Sequence, residues 1–183
     1  MREADVIATT REWIEKAVIG LNLCPFAEPV YVKDQVRFVV SRAPHLDGFL
    51  EDLDRELDFL AAADPDAIDT TLMIHPSLLP DFLDFNDFLQ LAEAAVGEHG
   101  LEGVIQIAGF HPAFQFADTP PDDIGNYTSR APYPTLQLLR EASIERAVAA
   151  FPEADAIYER NIRTLVALGR AGWDALWKVP PKR

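Results

Sequence analysis

Two apolar runs in this chain end in the same dipeptide. Thr70-Thr71-Leu72-Met73-Ile74 leads into His75-Pro76, and Val104-Ile105-Gln106-Ile107-Ala108-Gly109-Phe110 leads into His111-Pro112. An imidazole is the side chain best suited to moving a proton near neutral pH, so His111 is the expected general acid or base. The lone cysteine lies in Leu23-Cys24-Pro25-Phe26-Ala27. Cys24 is the expected nucleophile if a base or a positive charge holds its thiolate; among apolar neighbours, its plainer reading is a small buried hydrophobe. His75 and His111, with Cys24 as a third member, are also candidate ligands for zinc or iron. The fixed sequence spacing of helical metal motifs is missing, however, and without a metal the two histidines are hydrogen-bonded caps on strand ends.

Asn126, Arg130, Tyr133 and Arg140 are the expected substrate-binding residues. An arginine in a loop can clamp a carboxylate or phosphate through two parallel hydrogen bonds, while an amide and a phenol orient a ligand. Each has a plainer alternative. Thirty Asp and Glu face sixteen Lys and Arg, so an internal salt bridge competes for the arginines, and Asn126 or Tyr133 can brace the loop instead. No glycine-rich phosphate cradle and no nucleophile elbow is present.

The elements that must position these groups follow from periodicity. Val6, Trp13, Ile14, Ala17, Val18 and Leu21 recur at helical spacing up to Asn22, and Pro25 forbids continuation. Val30-Tyr31-Val32 and Val36 to Val40, around Lys33-Asp34-Gln35, predict a short hairpin. Leu46, Leu50, Leu53, Leu57 and Leu60 form the seam of a second helix with acidic residues opposite. A strand at Thr70 follows, then a helix on Phe82, Phe85, Phe88, Leu89, Ala92 and Val96 closed by Gly97 and Gly100, and then the strand at Val104. More than twenty residues separate His111 from Thr135. Loops of that length are uncommon and usually functional or disordered, and Phe114, Phe116, Tyr127 and Tyr133 argue for a packed one. Thr135 is expected to open a helix behind Pro134, and a last helix is expected from Pro152 to Gly169 and Gly172, with Trp173, Leu176 and Trp177 docking the end.

Strands alternating with helices predict an α/β single domain with a small, partly parallel sheet flanked by helices; the alternative is an α+β sandwich. In open α/β sheets ligands bind beyond the carboxyl ends of the strands, where both His-Pro pairs fall. One globular domain is expected over 1–177, with a flexible basic tail at 178–183. A net charge of −14 argues against nucleic acid and membrane surfaces as partners. The absence of a signal-like or membrane-length apolar segment, together with a single cysteine, predicts a cytoplasmic protein. Composition is silent on cofactors and on oligomeric state.

Leu23-Cys24-Pro25-Phe26-Ala27, Phe110-His111-Pro112-Ala113-Phe114-Gln115-Phe116, Asn126-Tyr127, Arg130-Ala131-Pro132-Tyr133-Pro134 and Leu138-Leu139-Arg140-Glu141 together resemble the bacterial domain-of-unknown-function family numbered 1415, over nearly the whole chain. That family's motif reads Asn-Arg-Ser-Pro-Tyr-Pro and then His-Leu-Leu-Arg-Glu; here Ser129, Ala131 and Gln137 depart from it. The resemblance implies no activity, cofactor or partner. From the residues, the leading expectation is an enzyme acting on a small anionic molecule through a Cys/His/Arg site. A metal-dependent version using His75, His111 and Cys24 is the second expectation. The third is a non-catalytic ligand-binding or interaction module.

Overall fold

A computed structural model describes residues 1–151 and 156–177. Helix α1 (Glu3–Trp13) continues directly into a π-helical segment, Ile14–Ile19. Then come α2 (Ala27–Val32), β1 (Val36–Val40), α3 (Leu46–Ala62), β2 (Thr70–Ile74), α4 (Phe82–Glu98) and β3 (Ile105–Phe110). A 3-10 helix (Ile124–Ser129) sits late in the long loop, followed by β4 (Thr135–Arg140), α5 (Glu141–Ala150) and α6 (Ile157–Asp174). Among the described residues no helix is long and apolar enough to cross a membrane. The expected basic tail at 178–183 and the helix start at Pro152 lie outside the described residues.

The four strands form one mixed sheet in the order β1-β2-β4-β3, with β1 and β2 parallel and β4 antiparallel to both its neighbours. This is the expected α/β domain with a partly parallel sheet. Its register sorts every strand residue to one of two faces, because successive side chains alternate. Val39, Met73, Leu136 and Gly109 align across one face, where Phe49, Leu53, Leu57 and Leu60 of α3 and Phe85, Phe88 and Ala92 of α4 bury the main core. Gly109 lets α4 come close, since a Cβ there would meet Leu89 Cδ1 at 2.8 Å. On the other face, Val36, Thr70, Leu139 and Gln106 form one row, and Phe38, Leu72, Gln137 and Ala108 form the next. A second core covers that side with Trp13, Ile14, Ala17, Leu23, Tyr127, Leu165, Trp173 and Trp177.

Two expected elements differ. Val30-Tyr31-Val32 is the end of α2 and not a strand. Pro29 lies in the first turn of that helix, where a missing N–H costs nothing, and Val32 is 75% exposed, so no buried strand face exists for it. β1 pairs in parallel with β2 instead of closing a hairpin. Thr135–Arg140 is a strand and not a helix. Leu136 and Leu138 are fully buried against the α3/α4 layer while Gln137 and Leu139 face the other way, and neighbours on both sides offer a full hydrogen-bond ladder. Insertion of β4 separates β2 from β3, so the two His-Pro strand ends share a rim but are not adjacent.

Candidate functional site

His75 and His111 are built alike. The Leu78 N–H donates to His75 Nδ1 (2.8 Å) and the Ala113 N–H to His111 Nδ1 (3.0 Å), while Nε2 lies 2.9 Å from the Ala43 carbonyl in the first case and 3.0 Å from the Leu79 carbonyl in the second. With Nδ1 accepting, the network assigns the proton to Nε2, which donates to the carbonyl. Each ring therefore fastens the loop behind the preceding parallel-running strand: His75 holds the β1–α3 loop, and His111 holds Leu79, whose φ is +55°. Both are 1% exposed, and burial pushes the His75 pKa down. The aromatic rings of Phe82 and Phe85 flank His111.

The anion-binding candidates have partners of the same kind. Asn126, fully buried, accepts from the Phe116 N–H and the Thr119 hydroxyl and donates to the Pro120 carbonyl. Arg130 donates to the Phe114 and Pro121 carbonyls and lies 4.0 Å from the Tyr127 ring centre. Tyr133 packs with Val6 and Ile74, its hydroxyl 3.3 Å from Met1 Sδ. Arg140 donates to the Ile68 and Ala63 carbonyls. Peptide carbonyls, and not carboxylates, occupy both guanidinium groups. Among the described residues no three His, Cys, Asp or Glu gather closely enough to hold a metal, and His75, His111 and Cys24 do not form a ligand set. The strand between β2 and β3 sets the two imidazoles roughly 10 Å apart in lateral spacing alone.

What the fold does enclose is a cavity of about 400 Å³ on the second face of the sheet. Its floor is the register just described: Val36, Thr70, Leu139 and Gln106, then Leu72, Gln137 and Ala108, then Phe110. Its roof is the π-helical stretch (Ile14, Val18), Trp13, the segment Leu23-Cys24 with Phe26, and Val30 and Tyr31 of α2; Thr128, Ser129 and the α5 residues Ser143, Ile144 and Ala147 complete the wall. Helix α6 fixes the roof, since Asn161 and Arg160 donate to the Leu23 and Asn22 carbonyls, both at 2.7 Å. Trp13 meets Phe110 edge-on at 5.4 Å.

Asp69, Thr70, Gln106, Gln137 and Ser143 place polar groups toward the end where β2 begins, while Thr128 and Ser129 lie at the other end, beside the His111 N–H that bonds to the Ser129 carbonyl. Gln137 Nε2 donates to Thr70 Oγ1 (3.2 Å), whose hydroxyl donates to the Leu138 carbonyl (2.6 Å). Ser143 Oγ donates to Asp69 Oδ1 at 2.5 Å. Among the described residues Asp69 is the one charged side chain in the lining, and no lysine, arginine or histidine borders the cavity. Thr128 Oγ1 is a buried hydroxyl oxygen with no hydrogen-bond partner among the described residues. Cys24 alone, of all the residues singled out in the sequence as site candidates, borders the cavity. Burial pushes its thiol up, against the pull of the Phe26 and Ala27 N–H groups and of Arg160, which leaves a neutral thiol near pH 7. Gln106, Gln137, Thr70 and Asp69 escaped the sequence reading. Their signal was an amide set within each of two apolar runs. Ser129 and Gln137, two of the three departures from the motif that the chain resembles, both border the cavity.

A second hollow, of about 420 Å³, lies between the long loop and α6, with Phe116, Asp123, Tyr158 and Arg163 on its walls. It is the more open of the two, whereas the sheet-face cavity is more enclosed and has the larger apolar wall, the character of ligand sites.

A family model described as a protein of unknown function (DUF1415) matches residues 5–175. No curated protein and no solved structure matches the chain.

Proposed function

We propose that this chain, which belongs to that family of unknown function, binds a small molecule in the cavity between its sheet and its N-terminal helical layer. The observation that carries the reading is the cavity itself: about 400 Å³ in a domain of 183 residues, apolar on most sides, with Asp69, Thr70, Gln137 and Ser143 supplying hydrogen-bonding groups toward one end. Interiors normally pack without voids much larger than a water molecule. The half-buried members of the wall, Phe110, Phe26 and Ala108 among them, offer apolar surface that a ligand would cover.

The anion-directed Cys/His/Arg enzyme draws no support from the geometry. His111, Arg130 and Arg140 are committed to main-chain groups away from the cavity, and the thiol that does border it has no base beside it in the lining. The binding-module reading fits better, with the cavity as its site in place of the loop's arginines.

Filling the cavity tests this. Ala108 lies on its floor beside Gln137, and Ala108→Phe should fold while occupying the ligand's space. A ligand at about one hundred times its Kd stabilises the fold by about 2.7 kcal/mol, which in a domain of this size raises Tm by roughly 5–10 °C. A thermal-shift screen of small amphipathic metabolites should yield such shifts with the wild type and none with Ala108→Phe. Hits that shift both proteins equally count against the cavity as the site.

A further inference from the structure

Resting on the cavity as the binding site, we propose that its ligand is an amphipathic amine: a cationic head against Asp69 and Gln137 at the polar end, and an apolar or aromatic body between Trp13, Leu72 and Phe110. Three observations converge on that class. The first is the charge of the lining. Among the described residues Asp69 is the one charged side chain bordering the cavity, and it has no ion-pair partner there; its side-chain contact is the hydroxyl of Ser143 on Oδ1. The Ser143 hydroxyl in turn accepts from the Arg146 guanidinium at 3.0 Å, so the nearest cation stands one hydroxyl away and outside the lining; half-buried Asp69 keeps its negative charge toward the cavity, and an anionic ligand would add a second one.

The second is the direction of the hydrogen bonds around it. Gln137 spends its Nε2 on Thr70 Oγ1, and the Thr70 hydroxyl spends its proton on the Leu138 carbonyl. That chain leaves Gln137 Oε1 as an acceptor, so the polar end presents oxygen acceptors from both Asp69 and Gln137. A head group rich in donors, which an ammonium is and a carboxylate is not, matches this arrangement. The third is the opposite end. Trp13 and Phe110 meet edge-on there, and Phe26 and Tyr31 add further aromatic wall, so the surface beyond the head is apolar and rich in π-faces that tolerate a nearby cation. The chain's net charge of −14 favours the approach of cations over anions from solution as well.

A matched set of phenethylamine, phenethyl alcohol and phenylpropanoate, titrated calorimetrically into wild type, Asp69→Asn and Ala108→Phe, decides it. The expected result is that the amine binds wild type about tenfold or more tighter than the alcohol, in line with the extra strength of hydrogen bonds to charged groups, while the carboxylate does not bind. Asp69→Asn should bring the amine to the level of the alcohol and leave the alcohol unchanged. Raising NaCl from 0.05 to 0.5 M should weaken the amine and spare the alcohol, a readout on wild type that does not require the variant to fold. Equal binding of amine and alcohol, or an amine affinity within twofold of wild type in Asp69→Asn, overturns the amine assignment while leaving the cavity reading intact. If none of the three binds wild type, or if Ala108→Phe binds them undiminished, the cavity reading falls and the amine assignment with it.

Discussion

At the scale of single residues, the histidines illustrate how the same side chain takes opposite protonation behaviour. His75 accepts a main-chain N–H on Nδ1, so a proton there would set two donors against each other, and burial depresses its pKa below the ordinary 6.5. The folded state therefore binds this proton less readily than the unfolded chain. Its contribution is present above about pH 6.5 and is lost as pH falls through the lower folded value. His99 is the reverse case. Its Nδ1 and Nε2 lie 2.8 and 3.1 Å from Asp58 and Asp54, and the Asp58 contact chiefly raises its pKa. That contribution is full below about pH 6.5 and lost as pH rises through the raised value; being a partly solvated pair, it is worth less than about 1 kcal/mol. NMR titration of the ring protons should show His99 titrating above 6.5 and His75 below it, with Asp58→Asn returning His99 toward 6.5. A normal titration of His75 would mean that its ring is not buried as described. Arg140 makes a second prediction at this scale. Removing its guanidinium strips the Ile68 and Ala63 carbonyls of their donors, so Arg140→Ala should cost about 2 kcal/mol or more by denaturant unfolding. A change below about 0.5 kcal/mol would show these bonds to be unimportant. Which residues matter was legible in part, since the His-Pro pairs and the two arginines stand out in sequence. What they do was not, because each Nε2 and the Arg140 guanidinium find carbonyls brought to them from a separate loop, as Leu79 is to His111.

At the scale of elements, the apolar seams of α3 and α4 and the runs at Thr70 and Ile105 were legible because a single periodicity governs each and the burial agrees with it. β4 was not. Thr-Leu-Gln-Leu-Leu-Arg after a proline suits a helix's first turn as well as a strand, and the sheet's unfilled place between β2 and β3 decides it. That one element also explains the missed site, since Gln137 enters the cavity only when β4 alternates with period two. The π-helical segment was equally illegible. Its wide turn is closed by the Gly20 N–H bonding to the Glu15 carbonyl at 3.0 Å, a pattern common at functional sites, and it delivers Ile14 and Val18 to the cavity roof. Gly20 makes the turn possible: a Cβ there would sit 2.4 Å from the Lys16 carbonyl oxygen. Gly20→Ala should therefore destabilise the fold by about 1 kcal/mol or more, although alanine is ordinarily the better helix former by about that amount, and it should weaken ligand binding by displacing the roof. A stabilised Gly20→Ala protein with unchanged binding would remove the π turn from the account.

At the scale of the whole molecule, the charge of −14 acts on every element at once. The acidic faces of α3 and α4 point to solvent, with Glu51, Asp58, Asp84, Asp87 and Glu93 among their exposed or half-exposed positions, so folding brings like charges together that the unfolded chain keeps apart. Two salt effects compete. Screening relieves this general repulsion, which stabilises the compact state, and it also weakens the ion pairs. Those pairs are mostly exposed, as Arg2–Asp5, Arg163–Glu159 and Arg170–Asp174 are, and such pairs contribute little and often nothing measurable. The bidentate Arg37–Glu56 pair is the better shielded one, with the Glu56 side chain 11% exposed, and salt acts on it least. Repulsion spread over the whole surface outweighs a few weak exposed pairs, so Tm should rise between 10 and 300 mM NaCl at pH 7, where the carboxylates are ionised. The rise should shrink as pH is lowered toward the sequence pI of about 4.5, because protonation removes the charge that salt screens. Sodium sulfate stabilises by exclusion as well as by screening, so chloride is the anion to use. A Tm that falls with NaCl at pH 7 would instead place the balance with the ion pairs, Arg37–Glu56 first among them.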